Sequence, residues 1–438
     1  MTRTKPHMVT LGCRLNGYES ERMATLAAGK DAPPTVVVNT CAVTGEAVRQ
    51  SRQAIRRARK DHPGARLVAT GCAVQLEPEA FAKMPEVDRV LGNGEKLDPN
   101  AWHPTAWQAT DDAPAVANVF DDSHLSTARP LPPKTVPVRA HLEVQNGCDH
   151  RCTFCIIPYG RGNARSKPPA LIAEEALAMV ERGAKEIVLT GVDLTSYGPD
   201  LGAGVTLSDG IEALLTALPS SVTLRLSSID GAEVDERLFA LVTQEERIAP
   251  YLHLSLQAGD NMILKRMKRR HTREEAVDLC NRLKQARPSM SFGADLIAGF
   301  PTETEEMAAN TLTLVDDCGL SFVHVFPFSP REGTPAARMP QLSRDIIKTR
   351  AARLRGAADT ALSRHLDRKI GRTEIVLVEQ IRDGKAVGKL ADFTDVSIND
   401  EVAIGDRVAA RIIGHENRAL LAEKGSPMDH HNGDEQHG

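Results

Sequence analysis

The chain has 438 residues, enough for about three domains of ordinary size, and its 41% hydrophobic and 26% charged residues are typical of a globular protein. The net charge of −4 excludes a general polyanion binder. No apolar run approaches the roughly 18 residues of a membrane helix, and the N-terminus lacks the apolar core of a secretory signal. We therefore expect a cytoplasmic protein, without membrane association, that keeps its thiols reduced.

The N-terminal part repeats one pattern three times, an extended apolar run followed by a cysteine. The runs are His7–Leu11, Thr35–Val38 and Arg66–Ala69, and the cysteines that follow them are Cys13, Cys41 and Cys72. The repeats are about 30 residues apart, the length of a strand–helix–strand unit. Because parallel strands end at one edge of a sheet, the pattern predicts an open parallel α/β domain over residues 1–105 whose three thiols converge. The alternative is that these cysteines are small buried strand-end residues.

Basic residues are concentrated in two segments, one between Arg49 and Arg66 and one between Lys265 and Arg273. Local patches of this kind can follow the phosphates of a nucleic acid even on an acidic protein. A solvated helix face is the alternative for either segment.

A composition change separates the N-terminal part from the rest of the chain. Residues Asp98–Pro137 are rich in Pro, Ala, Asp and Thr and have neither helical nor strand period. This composition indicates a connection between domains, and we place the linker at residues 106–133.

Six strand-like runs then alternate with amphipathic helical stretches. The runs are His141–Gln145, Glu186–Thr190, Val222–Ser227, Tyr251–Leu256, Phe292–Ile297 and Phe322–Phe326. Repeated β–α units predict a parallel sheet that closes toward a barrel, here a partial (β/α)6 barrel over residues 134–365. The active groups of such barrels lie in the loops after the strands, and an open side would admit a large substrate.

The loop after the first of these strands contains Cys148, Cys152 and Cys155 in a CxxxCxxC spacing. A cubane iron–sulfur cluster ordinarily takes four thiolates, so three leave one iron open to a small molecule. A structural zinc site normally has four ligands, and His150 is the only local candidate for a fourth. A disulfide is disfavoured in a reducing compartment. The spacing therefore favours a reactive iron–sulfur cluster.

The C-terminal part changes to short strands after the helical region Arg344–Arg368. The pattern predicts a small β-barrel over residues 366–427, in the broad class of nucleic-acid-binding barrels. Phe393 is its only aromatic residue, so backbone contact with a nucleic acid is favoured over base stacking. Residues 428–438 form a polar tail that we expect to be disordered.

Several motifs resemble the radical S-adenosylmethionine superfamily and, within it, the methylthiotransferases of the threonylcarbamoyladenosine tRNA type. They are Thr10–Asn16 (TLGCRLN), Val38–Thr44 (VNTCAVT), Gly147–Tyr159 (GCDHRCTFCIIPY) and His324–Pro330 (HVFPFSP). The resemblance implies a methylthiotransferase N-terminal domain, a radical S-adenosylmethionine core and a TRAM-like RNA-binding domain. It also implies the product, 2-methylthio-N6-threonylcarbamoyladenosine at position 37 of tRNA.

The same resemblance implies two [4Fe–4S] clusters. Cys148, Cys152 and Cys155 would hold the cluster that binds and cleaves S-adenosylmethionine. Cys13, Cys41 and Cys72 would hold a second cluster that carries the sulfur, which a second S-adenosylmethionine methylates. Further cofactor contacts are implied for Gly191, Val192, Asp193, Ser255 and Gln257. A purely structural role is the alternative for those five residues.

The implied partners are the anticodon loop of a tRNA, a reducing electron donor and a sulfur donor, and we expect a monomer. Two enzymatic alternatives use the same machinery, on isopentenyladenosine in tRNA or on an aspartate of a ribosomal protein. A third alternative is an iron–sulfur protein that binds RNA without catalysis.

Overall fold

The computed structural model describes residues 5–28, 33–103, 114–121 and 136–425. Its N-terminal part is a four-stranded parallel sheet whose strands follow one another in chain order. In chain order the elements are β1 (His7–Thr10), α1 (Arg14–Leu26), β2 (Thr35–Thr40), α2 (Gly45–Asp61), β3 (Arg66–Gly71), α3 (Cys72–Leu76), α4 (Pro78–Ala82) and β4 (Arg89–Val90).

Helices cover both faces of this sheet. Val37 of β2 lies in one apolar cluster with Met23 of α1. The next residue, Val38, lies in a different cluster with Ile55 of α2. Successive residues of a strand point to opposite faces, so α1 and α2 lie on opposite sides of the sheet. The predicted open α/β domain is confirmed.

The central region supplies six successive parallel strand positions, as predicted for a partial barrel. In chain order the elements are β5 (Arg139–Glu143), β6 (Gln145–Asn146), α5 (Ile157–Arg161), β7 (Arg165–Ser166), α6 (Pro169–Val180), β8 (Glu186–Thr190), α7 (Leu207–Ala217), β9 (Thr223–Leu226), β10 (Ser228–Ile229), α8 (Glu236–Gln244), β11 (Tyr251–Gln257), α9 (Asn261–Met267), α10 (Arg273–Ala286), β12 (Ser291–Ala298), α11 (Glu305–Asp317) and β13 (Leu320–Pro327).

The six positions come from two sheets of three and four strands, because β9 and β10 follow each other in the chain and together occupy one position. One has the order β5-β8-β9 and the other β10-β11-β12-β13, and a single residue separates β9 from β10. The predicted strand His141–Gln145 is divided, because the chain after β5 turns so that β6 pairs antiparallel with β7. This short β6–β7 ribbon brackets the cysteine loop and α5.

The two faces of the partial barrel differ in polarity. Leu142, Leu189 and Leu226 pack in one large core cluster with the helix residues Ile172 and Ile211. The alternate residues of the same strands point to the other face and are polar, including Arg139, His141, Glu186 and Arg225. A strand face that holds buried ion pairs instead of leucines is suited to a polar ligand.

The C-terminal part is a closed five-stranded barrel with the strand order β14-β15-β16-β18-β17, which confirms the predicted barrel. In chain order the elements are α12 (Arg344–Asp367), β14 (Thr373–Arg382), β15 (Lys385–Leu390), β16 (Asp395–Ile398), β17 (Arg407–Glu416) and β18 (Ala419–Lys424). None of the described helices combines the length and the apolar character needed to cross a membrane.

The predicted linker is described only in part. Within residues 114–121, Ala115 forms a parallel bridge with Leu91 beside the N-terminal sheet, and Val119 is buried. The remainder of the predicted linker 106–133 that is not in this segment, and the predicted tail 428–438, lie outside the described residues.

Candidate active site at two cysteine triads

Cys13, Cys41 and Cys72 lie at the carboxyl ends of β1, β2 and β3, and we call them the strand-end triad. Gly12 has a φ of +97°, and a Cβ atom on it would lie 2.9 Å from the Cys41 Sγ atom. The pKa of the Cys41 thiol is raised to about 11, chiefly by burial, and the neighbouring Cys72 and Cys13 act in the same direction. The sheet topology thus brings the three thiols together at one edge.

A buried polar network surrounds Cys72. Arg161, the last residue of α5 in the partial barrel, donates from Nε to Cys72 Sγ at 3.2 Å. The same guanidinium is paired with Glu19 of α1 at 2.5 Å, and Lys96 pairs with the other carboxylate oxygen of Glu19 at 2.6 Å. Asn93 Nδ2 lies 4.0 Å from Cys72 Sγ. A cation from another region therefore lies against a thiol of the strand-end triad.

Cys148, Cys152 and Cys155 lie in the loop between β6 and α5, and we call them the loop triad. Gly147 begins this loop with a φ of +74°, and a Cβ atom there would lie 1.8 Å from the carbonyl oxygen of Asn163, so only glycine fits. The Cys155 amide donates to the Cys152 carbonyl at 3.0 Å. Burial raises the pKa of the Cys148 thiol, and it raises that of Cys155 to about 12.

An arginine also lies against the loop triad. Arg269 Nη1 lies 3.5 Å from Cys152 Sγ, and its Nη2 atom donates to Asp230 at 2.8 Å and to the Ser255 carbonyl at 2.7 Å. Burial opposes ionisation of Asp230, but the neighbouring His271 and Arg269 hold its pKa down to about 2. Each triad therefore has one cysteine next to a buried arginine–carboxylate pair.

His150, the residue considered as a fourth zinc ligand, is engaged with oxygen atoms. Its Nε2 atom lies 3.1 Å from Ser196 Oγ and 3.1 Å from Asp193 Oδ2. Its backbone amide donates to Cys148 Sγ at 3.5 Å. All eight cysteines lie within the described residues and all are free thiols. The loop therefore contains three free thiols, and its histidine ring lies beside Cys148 and Asp193.

The candidate cofactor residues lie beside the loop triad. Gln145 Oε1 accepts the amide hydrogens of Val192 and Asp193 at 3.0 Å each, and a Cβ atom on Gly191 would lie 2.8 Å from the same oxygen. Asp193 Oδ2 lies 3.9 Å from Cys148 Sγ. This loop is thus held against the first cysteine of the triad.

The other two candidates are on β11. The Ser255 carbonyl is joined to Cys152 through Arg269. Gln257 ends the strand with a φ of +68°, next to an irregularity in the β11–β12 pairing. Both residues are partly exposed. The sequence reasoning named these five residues and missed Gln145, the residue that fixes the loop geometry.

Several arginines of the two basic segments have partners within the fold. In the second segment Arg269 faces the loop triad, and Arg273 donates to the carbonyls of Gly259 and Asn310. In the first segment the arginines pair with nearby carboxylates; the pairs are Arg49–Glu46, Arg52–Glu77, Arg56–Glu86 and Arg59–Asp88. A charge run in a sequence cannot show which of its members have a partner elsewhere in the chain.

Both triads suit a cluster that takes three protein ligands. Each gathers three free thiols, and a Cβ atom on Gly160, five residues after Cys155, would lie 3.6 Å from the Cys72 Cβ atom. The segment that follows the loop triad is thus in contact with the strand-end triad. Thiolates are the ligands of iron–sulfur clusters, and three of them leave one iron of a cubane open.

Comparison with known proteins gives matches over both regions. Residues 142–315 match the radical SAM superfamily, and residues 5–92 match the family described as "Uncharacterized protein family UPF0004". The threonylcarbamoyladenosine tRNA methylthiotransferase MtaB of Rickettsia prowazekii is 43% identical, with 94% of this chain and 96% of that protein covered. The tRNA-2-methylthio-N(6)-dimethylallyladenosine synthase of Erythrobacter litoralis is 33% identical, with 92% and 93% covered.

The fold has a relative among solved structures. The radical S-adenosylmethionine methyltransferase TsrM from Kitasatospora setae has a TM-score of 0.52 at 16% identity, with 74% of this chain and 67% of that chain covered. The partial barrel and its CxxxCxxC loop therefore define a radical S-adenosylmethionine protein. The chain belongs to the methylthiotransferase family of this superfamily, of the threonylcarbamoyladenosine tRNA type. Its cofactors are S-adenosylmethionine and two [4Fe–4S] clusters.

Proposed function

We propose that this protein converts N6-threonylcarbamoyladenosine at position 37 of tRNA to its 2-methylthio derivative. The observation that carries the proposal is that the segment after one three-thiol site packs against a cysteine of the other, where the N-terminal sheet meets the partial barrel. Gly160 and Arg161 follow the loop triad in the chain. Arg161 donates to Cys72 of the strand-end triad, and a Cβ atom on Gly160 would lie against the same cysteine. A substrate placed at this joint would be within reach of both clusters.

The proposal assigns one cluster to each triad, according to the residues around it. The loop triad holds one cluster, with Gly191, Val192, Asp193, Ser255 and Gln257 around S-adenosylmethionine. The strand-end triad holds the other cluster. When bound, these groups supply the radical chemistry that replacement of an unactivated aromatic hydrogen by sulfur requires. Arg161 and Arg269 each place a positive charge against one cysteine sulfur, Cys72 and Cys152 respectively.

We assign tRNA binding in part to the C-terminal barrel, as a TRAM-like domain. Arg382, Lys385 and Arg411 are exposed on its strands and turns and suit phosphate contacts. The Phe393 ring stacks on Tyr251 of the partial barrel, with 5.2 Å between the ring centroids, so it is not free to stack on a base. Our proposal further includes a cytoplasmic monomer, a low-potential electron donor and a sulfur donor.

Mass spectrometry of tRNA nucleosides from a strain that lacks the gene tests this function. We expect the 2-methylthio-threonylcarbamoyladenosine signal to disappear and the unmodified threonylcarbamoyladenosine to accumulate. A plasmid copy should restore the product, and a copy with Cys148→Ala should not. An undiminished product in the deletion strain would refute the proposal.

The second candidate substrate is isopentenyladenosine in tRNA. It is favoured by the 33% identity to a 2-methylthio-dimethylallyladenosine synthase over nearly the whole chain. Loss of 2-methylthio-isopentenyladenosine from the same deletion strain, with the level of 2-methylthio-threonylcarbamoyladenosine unchanged, would select this substrate.

A further inference from the structure

Phe393 lies between β15 and β16 and reaches from the C-terminal barrel to the polar face of the partial barrel. It has a φ of +77° and stacks on Tyr251. Four cations surround the Phe393 ring; their distances from the ring centroid are 5.2 Å for Arg14, 5.6 Å for Arg139, 5.1 Å for Arg225 and 4.2 Å for Lys389. So much positive charge in one place requires negative partners.

Three of the four cations have a carboxylate partner. Arg139 and Arg225 each donate from Nε to Glu186 at 2.6 Å. Lys389 is paired with Asp395. Arg14 forms no hydrogen bond and no ion pair with any residue that the structure describes, although it is largely shielded from solvent. A charged group in such a place ordinarily pairs or binds a ligand.

Asp295, a carboxylate that acts on the charge of Arg14, already has two histidine partners. Asp295 acts electrostatically on Arg14, but its Oδ1 atom lies 2.9 Å from His253 Nε2 and 3.2 Å from His324 Nδ1. Arg139 and Arg225 repel the charge of Arg14. The polar face of the partial barrel therefore has a surplus positive charge at Arg14 and free donor positions on its guanidinium.

The position of Arg14 links this charge to the reaction. Arg14 directly follows Cys13 of the strand-end triad and is the first residue of α1. An adenine that receives sulfur at the strand-end triad would thus have its substituents within the surroundings of Arg14. The N6-threonylcarbamoyl group ends in a carboxylate, and a guanidinium binds a carboxylate through two parallel hydrogen bonds.

We propose that Arg14 binds the carboxylate of the N6-threonylcarbamoyl group and selects this substrate over adenosines with a neutral N6 substituent. The proposal rests on the proposed function and adds a binding subsite to it. A site built to pair a charged group discriminates strongly against an analogue that lacks it, because the partly buried cation is then left without an anionic partner.

The test compares two anticodon stem-loops that differ only at one group. One contains N6-threonylcarbamoyladenosine and the other its neutral carboxamide, and both are given to the holoenzyme to measure kcat, KM and Kd. We expect the wild type to prefer the acid by about 10- to 100-fold, the size of a charge-assisted pair. Arg14→Gln should remove the preference, through a higher KM and Kd for the acid alone. Arg14→Lys should restore part of it.

Lys389→Gln is the matched control, because Lys389 lies over the same ring but has its own carboxylate. It should retain the full preference for the acid. Equal use of acid and carboxamide by the wild type would refute the Arg14 subsite and leave the proposed function standing. An equal loss on both substrates in Arg14→Gln, with a lower Tm or iron content, would also refute it, since Arg14 would then only support Phe393 or Cys13. No methylthiolation of either stem-loop by the wild type would refute the proposed function itself.

Discussion

The two cysteine triads supply the same three thiols but are built in different ways. The loop triad lies within one short loop, and its supporting arginine, Arg269, comes from the same partial barrel. The strand-end triad is assembled from three strands, and its supporting arginine, Arg161, reaches it from the neighbouring region. One site is therefore self-contained, whereas the other is complete only when two regions of the chain are packed together.

This difference has an energetic side. Arg161, Glu19 and Lys96 are all almost completely buried. Burial opposes ionisation of Glu19, yet Arg161 and Lys96 hold its pKa down to about 2. Breaking such a buried pair by removing one partner typically costs about 3–5 kcal/mol. The contact between the two regions thus also supports the strand-end triad. A mutation at this contact should therefore disturb the strand-end triad and leave the loop triad intact.

The largest expected effect comes from removing each triad in turn. Alanine at all three loop-triad cysteines should reduce iron from about eight to about four per chain and abolish cleavage of S-adenosylmethionine. Alanine at all three strand-end cysteines should remove a similar amount of iron but leave cleavage intact and abolish methylthiolation. Iron analysis after anaerobic reconstitution and 5′-deoxyadenosine measurement check both outcomes.

Cys318→Ala is the control for these variants, because Cys318 is buried in the core of the partial barrel, away from both triads. It should retain all the iron. Unchanged iron content in either triple variant would contradict the assignment of that triad as cluster ligands.

The next largest effect is expected from replacing Arg161 and Arg269, the arginines that lie against the two triads. Arg161→Gln should lower the free energy of unfolding by about 3 kcal/mol and change the electron paramagnetic resonance signal of the strand-end cluster only. Arg269→Gln should change the signal of the loop cluster only, because its contacts are with Cys152, Asp230 and Ser255. Arg161→Lys keeps the charge and should recover part of the stability. A disturbance of both signals by Arg161→Gln would show that the sites are not separable in this way.

Local spacing and topology were enough to predict much of this arrangement. The three strand–cysteine repeats indicated the parallel sheet and the convergence of Cys13, Cys41 and Cys72 at its edge. Arg161 could not be found in the same way, because its contact with Cys72 spans 89 residues and depends on how the two regions pack. Arg269 was visible only as part of a basic segment. Its burial against Asp230 became apparent from the tertiary structure alone.

Phe393 illustrates the same limit. It is the only aromatic residue of the predicted C-terminal barrel, and the sequence disfavours base stacking there without indicating what the ring contacts. The structure instead places its ring against Tyr251, in a site that belongs to the partial barrel. A contact between two folded parts leaves no period in either sequence segment, so pattern analysis cannot predict it.

The smallest expected effect is a pH dependence of the free energy of unfolding that comes from His141, near the contact between the two regions. Burial, together with the nearby charges of Arg14 and Arg139, lowers the pKa of His141 to about 4. The unfolded chain takes up this proton near pH 6.5, so the free energy of unfolding should decrease as pH falls from about 6.5 to about 4. At about pH 5 the loss should be about 2 kcal/mol relative to neutral pH. Denaturant unfolding of anaerobic protein measures it.

His141→Gln should flatten this pH dependence, whereas the exposed His62→Gln should not. Because His141 lies on β5 beside Arg14, which follows Cys13, mild acid should release iron from the strand-end site before the loop site. Equal release from both sites would mean that His141 titration acts on the fold as a whole. Preferential release would show that the strand-end triad depends on the packing of two regions in a way that the loop triad does not.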